Sequence, residues 1–521
     1  MVPPGNIDAF ATSATLKLPP HSATFGSRPG KKWLDLWHHI AIGGRPVTSE
    51  SKKKGASTTT QEQAELHDNT MTPRDERRDS GQAMAEKSAL PRELHAAWNP
   101  PADRPNPVEV LQKSDEGRIP ELIPIRYGRM LQTPFTFYRG AAALMASDLS
   151  YTPNTKVRVQ ACGDCHLLNF GAFATPERNI SFDINDFDET LPAPWEWDVK
   201  RLAVSYVLLA RDNGLKPKAG KAAARAVAKS YRERTQVYSQ MTILNLWYHR
   251  IDWHTVLDIS TDTGVIKRAK DRTTKEMKRT IEDYYFPKLV EESEGRYLIR
   301  DNPPLIYHMP KEDRLKFDQG VLKAFQLYRE SLQEDRRRLL DRYSLRDLAI
   351  KVVGVGSVGT VCLLALMLAR DDEPLFLQVK EARPSVLEAF AGKSLFENHG
   401  QRVVEGQRII QSASDIFLGW TQMDNGKHFY LRQLRDVKIK LEPQFWDADM
   451  MVGSAKVMAD VLARAHARSG DSAFISGYLG DTEEFEDAIA EFSVAYADQT
   501  ERDYETLMAA VKDGRIQATM E

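Results

Sequence analysis

The segment Gly163-Asp164-Cys165-His166-Leu167-Leu168-Asn169 sets a carboxylate and a carboxamide five residues apart in a polar turn, and Asn185-Asp186-Phe187-Asp188-Glu189 adds carboxylates shortly downstream. Phosphoryl transfer needs those groups: one carboxylate to orient an acceptor hydroxyl, an amide and a second carboxylate to hold Mg²⁺ on nucleotide phosphates. Hard oxygen donors suit Mg²⁺ better than zinc, so Asn169 and Asp186 are the expected metal ligands, with Asp183 as a substitute for Asp186, and Asp164 is the expected base. Either motif alone is also ordinary turn composition, because Asp and Asn bond their own backbone in loops. The stretch between them, Thr175-Pro176-Glu177-Arg178-Asn179 flanked by two short apolar runs, reads as a hairpin that would bring both sets of carboxylates to one end of a sheet.

A second signal lies some 190 residues on. Gly354-Val355-Gly356-Ser357-Val358-Gly359 is a G-x-G-x-x-G, and the strand-like run Leu375 to Val379 leads into Lys380. Such a loop lets backbone N–H groups approach phosphates, and a lysine on a following strand can pair with phosphate oxygens as a point charge. Glu405, on an expected helix from Gln401 to Ser412, is placed to hold that lysine. Gly354, Gly356, Ser357, Gly359 and Lys380 are therefore the expected nucleotide contacts. Two rivals stand. One is a dinucleotide-binding turn, with Val361 to Leu368 as its helix and Glu381 as the ribose acid; the other is a plain tight turn.

The elements that must position these groups can be read from periodicity. Strands are expected at Val157 to Gln160, Phe170 to Ala174, Ile180 to Ile184, Ala349 to Val353, Val361 to Leu368, Leu375 to Val379 and His428 to Leu434. Helices are expected at Ala141 to Leu149, Trp197 to Arg211, much of 218 to 345, Met450 to His466 and Glu483 to Val511. In a protein kinase the glycine loop and lysine precede the Asp-x4-Asn loop; here Asp164 comes before Lys380. A circularly permuted kinase-like chain would reconcile the order, with Met450 to His466 as the helix that otherwise leads into the catalytic loop.

Together with Trp195-Glu196-Trp197-Asp198, Gln378-Val379-Lys380-Glu381-Ala382 and Leu462-Ala463-Arg464-Ala465-His466-Ala467-Arg468-Ser469-Gly470-Asp471, these motifs resemble bacterial domain-of-unknown-function family 2252 over residues 100 to 515. Gly-Asp-x-His-x-x-Asn also resembles the catalytic loop of aminoglycoside and choline phosphotransferases, which implies Asp164 as base and Asn169 as metal ligand. The expected fold is α+β: a protein-kinase-like two-lobe fold in permuted order with a largely helical C-lobe. Residues 1–90 would be a disordered extension, 91–345 a helical C-lobe-like part carrying the catalytic and metal loops, 346–445 an N-lobe-like nucleotide-binding sheet, and 446–521 helices completing the C-lobe. The expected activity is ATP- and Mg²⁺-dependent phosphoryl transfer to a small-molecule hydroxyl. A silent nucleotide-binding regulatory module and, last, a dinucleotide-dependent oxidoreductase are the alternatives.

Composition narrows the partners. Lys and Arg number 71 against 73 Asp and Glu, a net charge of −2, so no global field favours nucleic acid or an anionic membrane. The uncharged run Val352 to Ala369 is interrupted by glycines and reads as core rather than a membrane span. Three cysteines and no leading signal pattern fit a reducing cytoplasm, and Cys162-x-x-Cys165 with His166 lacks a fourth ligand for structural zinc. Arg139, Arg432 and Arg435 are candidate phosphate contacts or surface ion pairs. Asp198 is expected to cap a helix or to accept from the catalytic loop backbone. His166 is expected to orient that loop, and His466 either to meet a helix dipole or to face the site. The basic run Lys267 to Arg279 reads as a solvated helix face.

Overall fold

A computed structural model describes residues 71–520, apart from 88–89, 258–269, 272, 276, 279–283, 304, 309–310, 353, 435–436 and 440. Arg435 and about half of the run from Lys267 to Arg279 fall outside the described residues. So does 1–70 of the segment expected to be disordered. Part of its remainder forms helix α1 (Arg74–Glu86), which packs on a later helix so closely that a Cβ on Gly81 would meet the Phe474 backbone.

Helices α2 (Ile123–Met130) and α3 (Pro134–Gly140) follow. Helix α3 begins at a reciprocal cap, in which Thr133 Oγ1 accepts from Thr136 N and Thr136 Oγ1 accepts from Thr133 N. Strand β1 (Arg158–Ala161) leads to the Asp164 loop, and β2 (Phe170–Ala174) and β3 (Ile180–Ile184) form the expected hairpin. Strand β4 (Leu191–Pro194) returns to pair with β1. Then come the helices α4 (Trp195–Asp212) and α5 (Pro217–Gln240), α4 being buried along nearly its whole length.

The larger sheet is built from β5 (Ile306–Tyr307), β6 (Ser344–Lys351), β7 (Cys362–Leu368), β8 (Pro374–Ala382), β9 (Gly419–Gln422) and β10 (His428–Gln433). It is antiparallel throughout, in the order β9-β10-β8-β7-β6-β5. Helix α6 (Lys311–Ser331) lies across one face and α7 (His399–Ile410) joins β8 to β9. The short β11 (Lys438–Ile439) pairs with β2. Three helices complete the chain: α8 (Ala448–Ser469), α9 (Ser472–Leu479) and α10 (Glu484–Lys512).

The architecture is mixed helix and sheet. Strand β7 explains the long uncharged run: Ala365 and Met367 pack toward Tyr328 of α6, and Leu364, Leu366 and Leu368 pack toward Ala349 and Phe376 on the other face. A strand covered on both sides reads as a continuous apolar run. Among the described residues no helix is long and apolar enough to cross a membrane. Residues 306–345, expected to belong to the helical part, belong with the sheet, because β5 and α6 are built onto it.

Candidate functional site

The Asp164 loop is fixed from below. Asp198, in the first turn of α4, accepts from the backbone N–H of Cys162 at 2.7 Å and of Gly163 at 3.1 Å. His466 of α8 stands 3.3 Å from the same carboxylate, and its other ring nitrogen pairs with the Tyr231 hydroxyl at 2.8 Å. Gly163 has φ +81°, and a Cβ there would sit 2.4 Å from the Glu189 carbonyl, so only glycine fits. Asp198 and His466 thus both serve the loop.

Asp164 itself is gripped from one side. Arg201, one helical turn beyond Asp198, donates to Asp164 Oδ1 from Nε at 2.7 Å and from Nη2, which also donates to the Tyr138 carbonyl. Oδ2 faces His166, whose Nε2 is 3.8 Å away. Burial, and next the Arg139 and Arg201 charges, hold the His166 imidazole well below its usual range, so it is neutral at neutral pH. Its Nδ1 makes no hydrogen bond, contrary to the orienting role expected of this side chain. Asn169 Nδ2 donates to the Asp164 carbonyl at 2.8 Å, and the Asn169 carbonyl accepts from Asn185 N at 2.8 Å, tying the two acidic motifs together.

Asp186 and Asp183 have opposite surroundings. Asp183 is fully buried and saturated: Arg464 Nη2 lies 2.6 Å from Oδ1, and Ser412 donates to Oδ2 from N and Oγ. Ile184 N also donates to Oδ1, at 2.9 Å, so all four lone-pair sites of this structural ion pair are taken and none faces a cation, which corrects its place among the metal ligands. Asp186 accepts from Asp188 N at 3.2 Å and makes no ion pair among the described residues. Burial, and next the neighbouring Asp188 charge, push its carboxyl above the ordinary range. A half-buried carboxylate with a raised pKa is stabilised in its charged form by a nearby cation, and with the carboxamide of Asn169 it offers the hard oxygen donors Mg²⁺ takes.

Lys380 reaches this acidic loop from the sheet. Pairing in register sets Lys380 of β8 beside Tyr430 of β10 and Cys362 of β7. Its Nζ lies 2.7 Å from Asp188 Oδ2, while the Tyr430 hydroxyl donates to Asp188 Oδ1 at 2.7 Å. Although burial disfavours its charge, Asp188 and then Tyr430 and Asp186 hold the Lys380 ammonium well above its usual range. Asp188 is held below the carboxylate range because Lys380 outweighs the opposing effect of burial. The expected partner was Glu405. That residue instead accepts from Arg408 at 3.0 Å, one turn along α7.

Arg402 of α7 is the missed link. Fully buried, it donates to the carbonyls of Thr190 at 2.6 Å and of Asp188 and Arg383 at 2.8 Å, clamping the acidic loop to the sheet. Arg432 donates to Gln378 Oε1 at 3.1 Å and to the Asn185 carbonyl at 3.3 Å. Arg201 and Tyr430 had usable signals: Arg201 shares a helix face with Asp198, and Tyr430 and Arg432 alternate on one face of a strand. Arg402 had none, since an arginine in a helix is usually solvated.

The glycine loop spans β6 to β7. Gly354 and Gly359 have φ +76° and +90°. Arg129 donates to the Gly354 carbonyl and Arg118 to the Val358 carbonyl, both at 2.6 Å, and a Cβ on Gly356 would lie 3.3 Å from the Arg139 carbonyl. Ser357 lies within the same loop, its Oγ 2.7 Å from where a Cβ on Gly354 would stand. The glycines lead into a strand and not a helix, so the dinucleotide reading loses the helix N-terminus that would receive a pyrophosphate.

The three cysteines are free and buried. Cys162, Cys165 and Asp198 lie close enough to share an ion, but the Asp198 oxygens already accept backbone N–H groups and burial pushes both thiols up, against the thiolate a metal needs.

A family model described as "Uncharacterized protein conserved in bacteria (DUF2252)" matches residues 118–510. The chain belongs to the DUF2252 family. The matched span of this DUF2252 chain holds both acidic motifs, the glycine loop, Lys380 and α7. No curated protein and no solved structure matches it.

Proposed function

We propose that the chain is an ATP- and Mg²⁺-dependent phosphotransferase acting on a small-molecule hydroxyl. The observation that carries this reading is the Lys380–Asp188 contact, which joins two motifs 192 residues apart into one cluster of glycine loop, lysine, Asp186, Asn169 and Asp164. Lys380 and the glycine loop would hold the phosphates. Asn169 and Asp186 would hold Mg²⁺, which when bound offsets phosphate charge. Asp164 Oδ2 would receive the acceptor hydroxyl, while Arg201 fixes Oδ1.

A permuted kinase-like order is part of the proposal, and two features support it. Strand, glycine loop, strand, lysine strand, helix and two further strands come one after another from β6 to β10, the element order around a kinase glycine loop and lysine. The end of α8 also abuts the start of β1: Gln160 N donates to Ser469 Oγ at 3.0 Å, and a Cβ on Gly470 would lie 2.6 Å from the Val159 side chain. A join there would lead α8 straight into the Asp164 loop. The chain departs from that pattern in its ion pair, since Asp188 rather than a glutamate on α7 takes the lysine.

A silent nucleotide-binding module is the second reading, favoured by the Arg201 contact, which occupies Asp164 Oδ1. Incubation with labelled ATP and Mg²⁺, with water as acceptor, separates the two. Phosphoryl transfer yields ADP and phosphate at a rate that falls by about 10²–10⁴-fold in Asp164→Asn, the range for loss of a general base. AMP and pyrophosphate would indicate nucleotidyl transfer, and ATP binding without any product would favour the silent module.

A further inference from the structure

Most cations around the cluster are already engaged. Lys380 pairs with Asp188, Arg201 with Asp164, and Arg402 and Arg432 with backbone carbonyls. Arg139, at the end of α3, differs. Its buried Nε has no hydrogen-bond partner, as is also true of Arg402 Nε, but unlike Arg402 its guanidinium makes neither a hydrogen bond to a carbonyl nor an ion pair among the described residues. Burial disfavours its charge, and the carboxylates that oppose this are Asp164 and Asp186. The backbone places it between the two halves of the site. Its carbonyl meets Gly356 of the glycine loop, and the preceding carbonyl, of Tyr138, accepts from the same Arg201 that holds Asp164.

Arg139 is half-buried, and a partly desolvated guanidinium with an unpaired Nε and no anion in contact is costly unless a ligand supplies one. The position beside both the expected base and the expected metal carboxylate is where the group in transit between nucleotide and acceptor would lie. A planar guanidinium matches two phosphoryl oxygens at once, which an ammonium cannot do.

We propose that Arg139 binds the transferring phosphoryl group itself and offsets the charge on its equatorial oxygens, as a catalytic residue supplied from outside the glycine-loop and acidic-loop motifs. This rests on the phosphotransferase reading. In the step, the acceptor oxygen forms a bond to the γ-phosphorus as the bond from phosphorus to the ADP oxygen breaks. The hydroxyl proton passes to Asp164, and Arg139 neither gives nor takes a proton.

The test compares wild type, Arg139→Met and Arg139→Lys by thermal shift with Mg²⁺·ADP alone and with Mg²⁺·ADP plus aluminium fluoride, a mimic of the phosphoryl group in flight. Wild type should gain a further upward shift when the fluoride is added. Both variants should keep the Mg²⁺·ADP shift, which also reports that they fold, and lose the further one. ATP hydrolysis should fall by about 10³-fold in kcat, at the low end for removal of a charge-stabilising arginine, with KM for ATP within about threefold. Arg139→Lys keeps the charge and carries the test if Arg139→Met does not fold. Retention of the fluoride-dependent shift and of kcat in either variant would overturn the proposal, as would loss of the Mg²⁺·ADP shift in Arg139→Lys. No Mg²⁺·ADP shift in wild type would fell the phosphotransferase reading first, and this inference with it.

Discussion

Asp188 holds the lysine because the loop after β3 carries its carboxylate under the sheet, whereas Glu405 points along α7 to Arg408. Asp188→Asn is therefore expected to weaken Mg²⁺·ATP binding by about tenfold, on the scale of one charged hydrogen bond, while Glu405→Gln leaves it within twofold; calorimetric titration of both variants checks this. The sequence made the motif visible but not the choice of acid, since Asp186, Asp188 and Glu189 lie within four residues and only the turn after Ile184 decides which faces Lys380. Asp183 was misjudged for the same reason: its saturation by Arg464 and Ser412 depends on elements more than 200 residues away. Away from the site, His308 bridges Asp347 and Asp301, each at 2.8 Å, and the Asp347 hydrogen bond raises its pKa above 6.5. A raised folded-state value means that the stabilisation is complete below pH 6.5 and lost as pH rises through the elevated value. His308→Gln should flatten the fall of Tm across that window in a pH series of melting curves.

At the scale of elements, β2 and β3 match expectation end to end, and β7, α7, α8 and α10 lie within a few residues of it. Strong periodicity and clear punctuation made them legible: Asn398, Asp447 and Asp471 each accept a backbone N–H at the start of a helix. Helix α6 shows where such reading stops. Its apolar positions Val321, Ala324, Phe325 and Tyr328 announce a buried stripe, but a stripe does not say whether a bundle or a sheet covers it; here it is Leu345, Leu363 and Leu377. Helix α7 carries the prediction that belongs at this scale. Arg402→Met should remove the arginine's hydrogen bonds to the buried Thr190 carbonyl and the partly buried Asp188 and Arg383 carbonyls and lower stability by about 3 kcal/mol, read by chemical denaturation, with loss of nucleotide affinity beyond that of Glu405→Gln.

Over the whole molecule, the helical part and the sheet are bound together by the acidic loop, with the glycine loop resting on Arg118, Arg129 and Arg139 of the segment that precedes β1. The ends of the described span are structural too. Helix α1 crosses α9 where a Cβ on Gly477 would lie 1.9 Å from the Arg78 carbonyl, and Thr519 N donates to the Pro124 carbonyl of α2 at 2.8 Å. That α1 packs there was not visible, because its sequence is polar and its glycine contact is a matter of tertiary fit. On the proposed function, two motifs distant in sequence make one Mg²⁺·ATP site. Its most direct test is the thermal shift of wild type, Asp186→Ala and Lys380→Met with ATP plus Mg²⁺, with ATP plus chelator, and with NAD(P). A ligand at a hundredfold excess over Kd stabilises the native state by about 2.7 kcal/mol, enough to read. An ATP shift that needs Mg²⁺ and disappears in both variants is expected; no ATP shift, or an NAD(P) shift indifferent to Asp186, would refute the shared site.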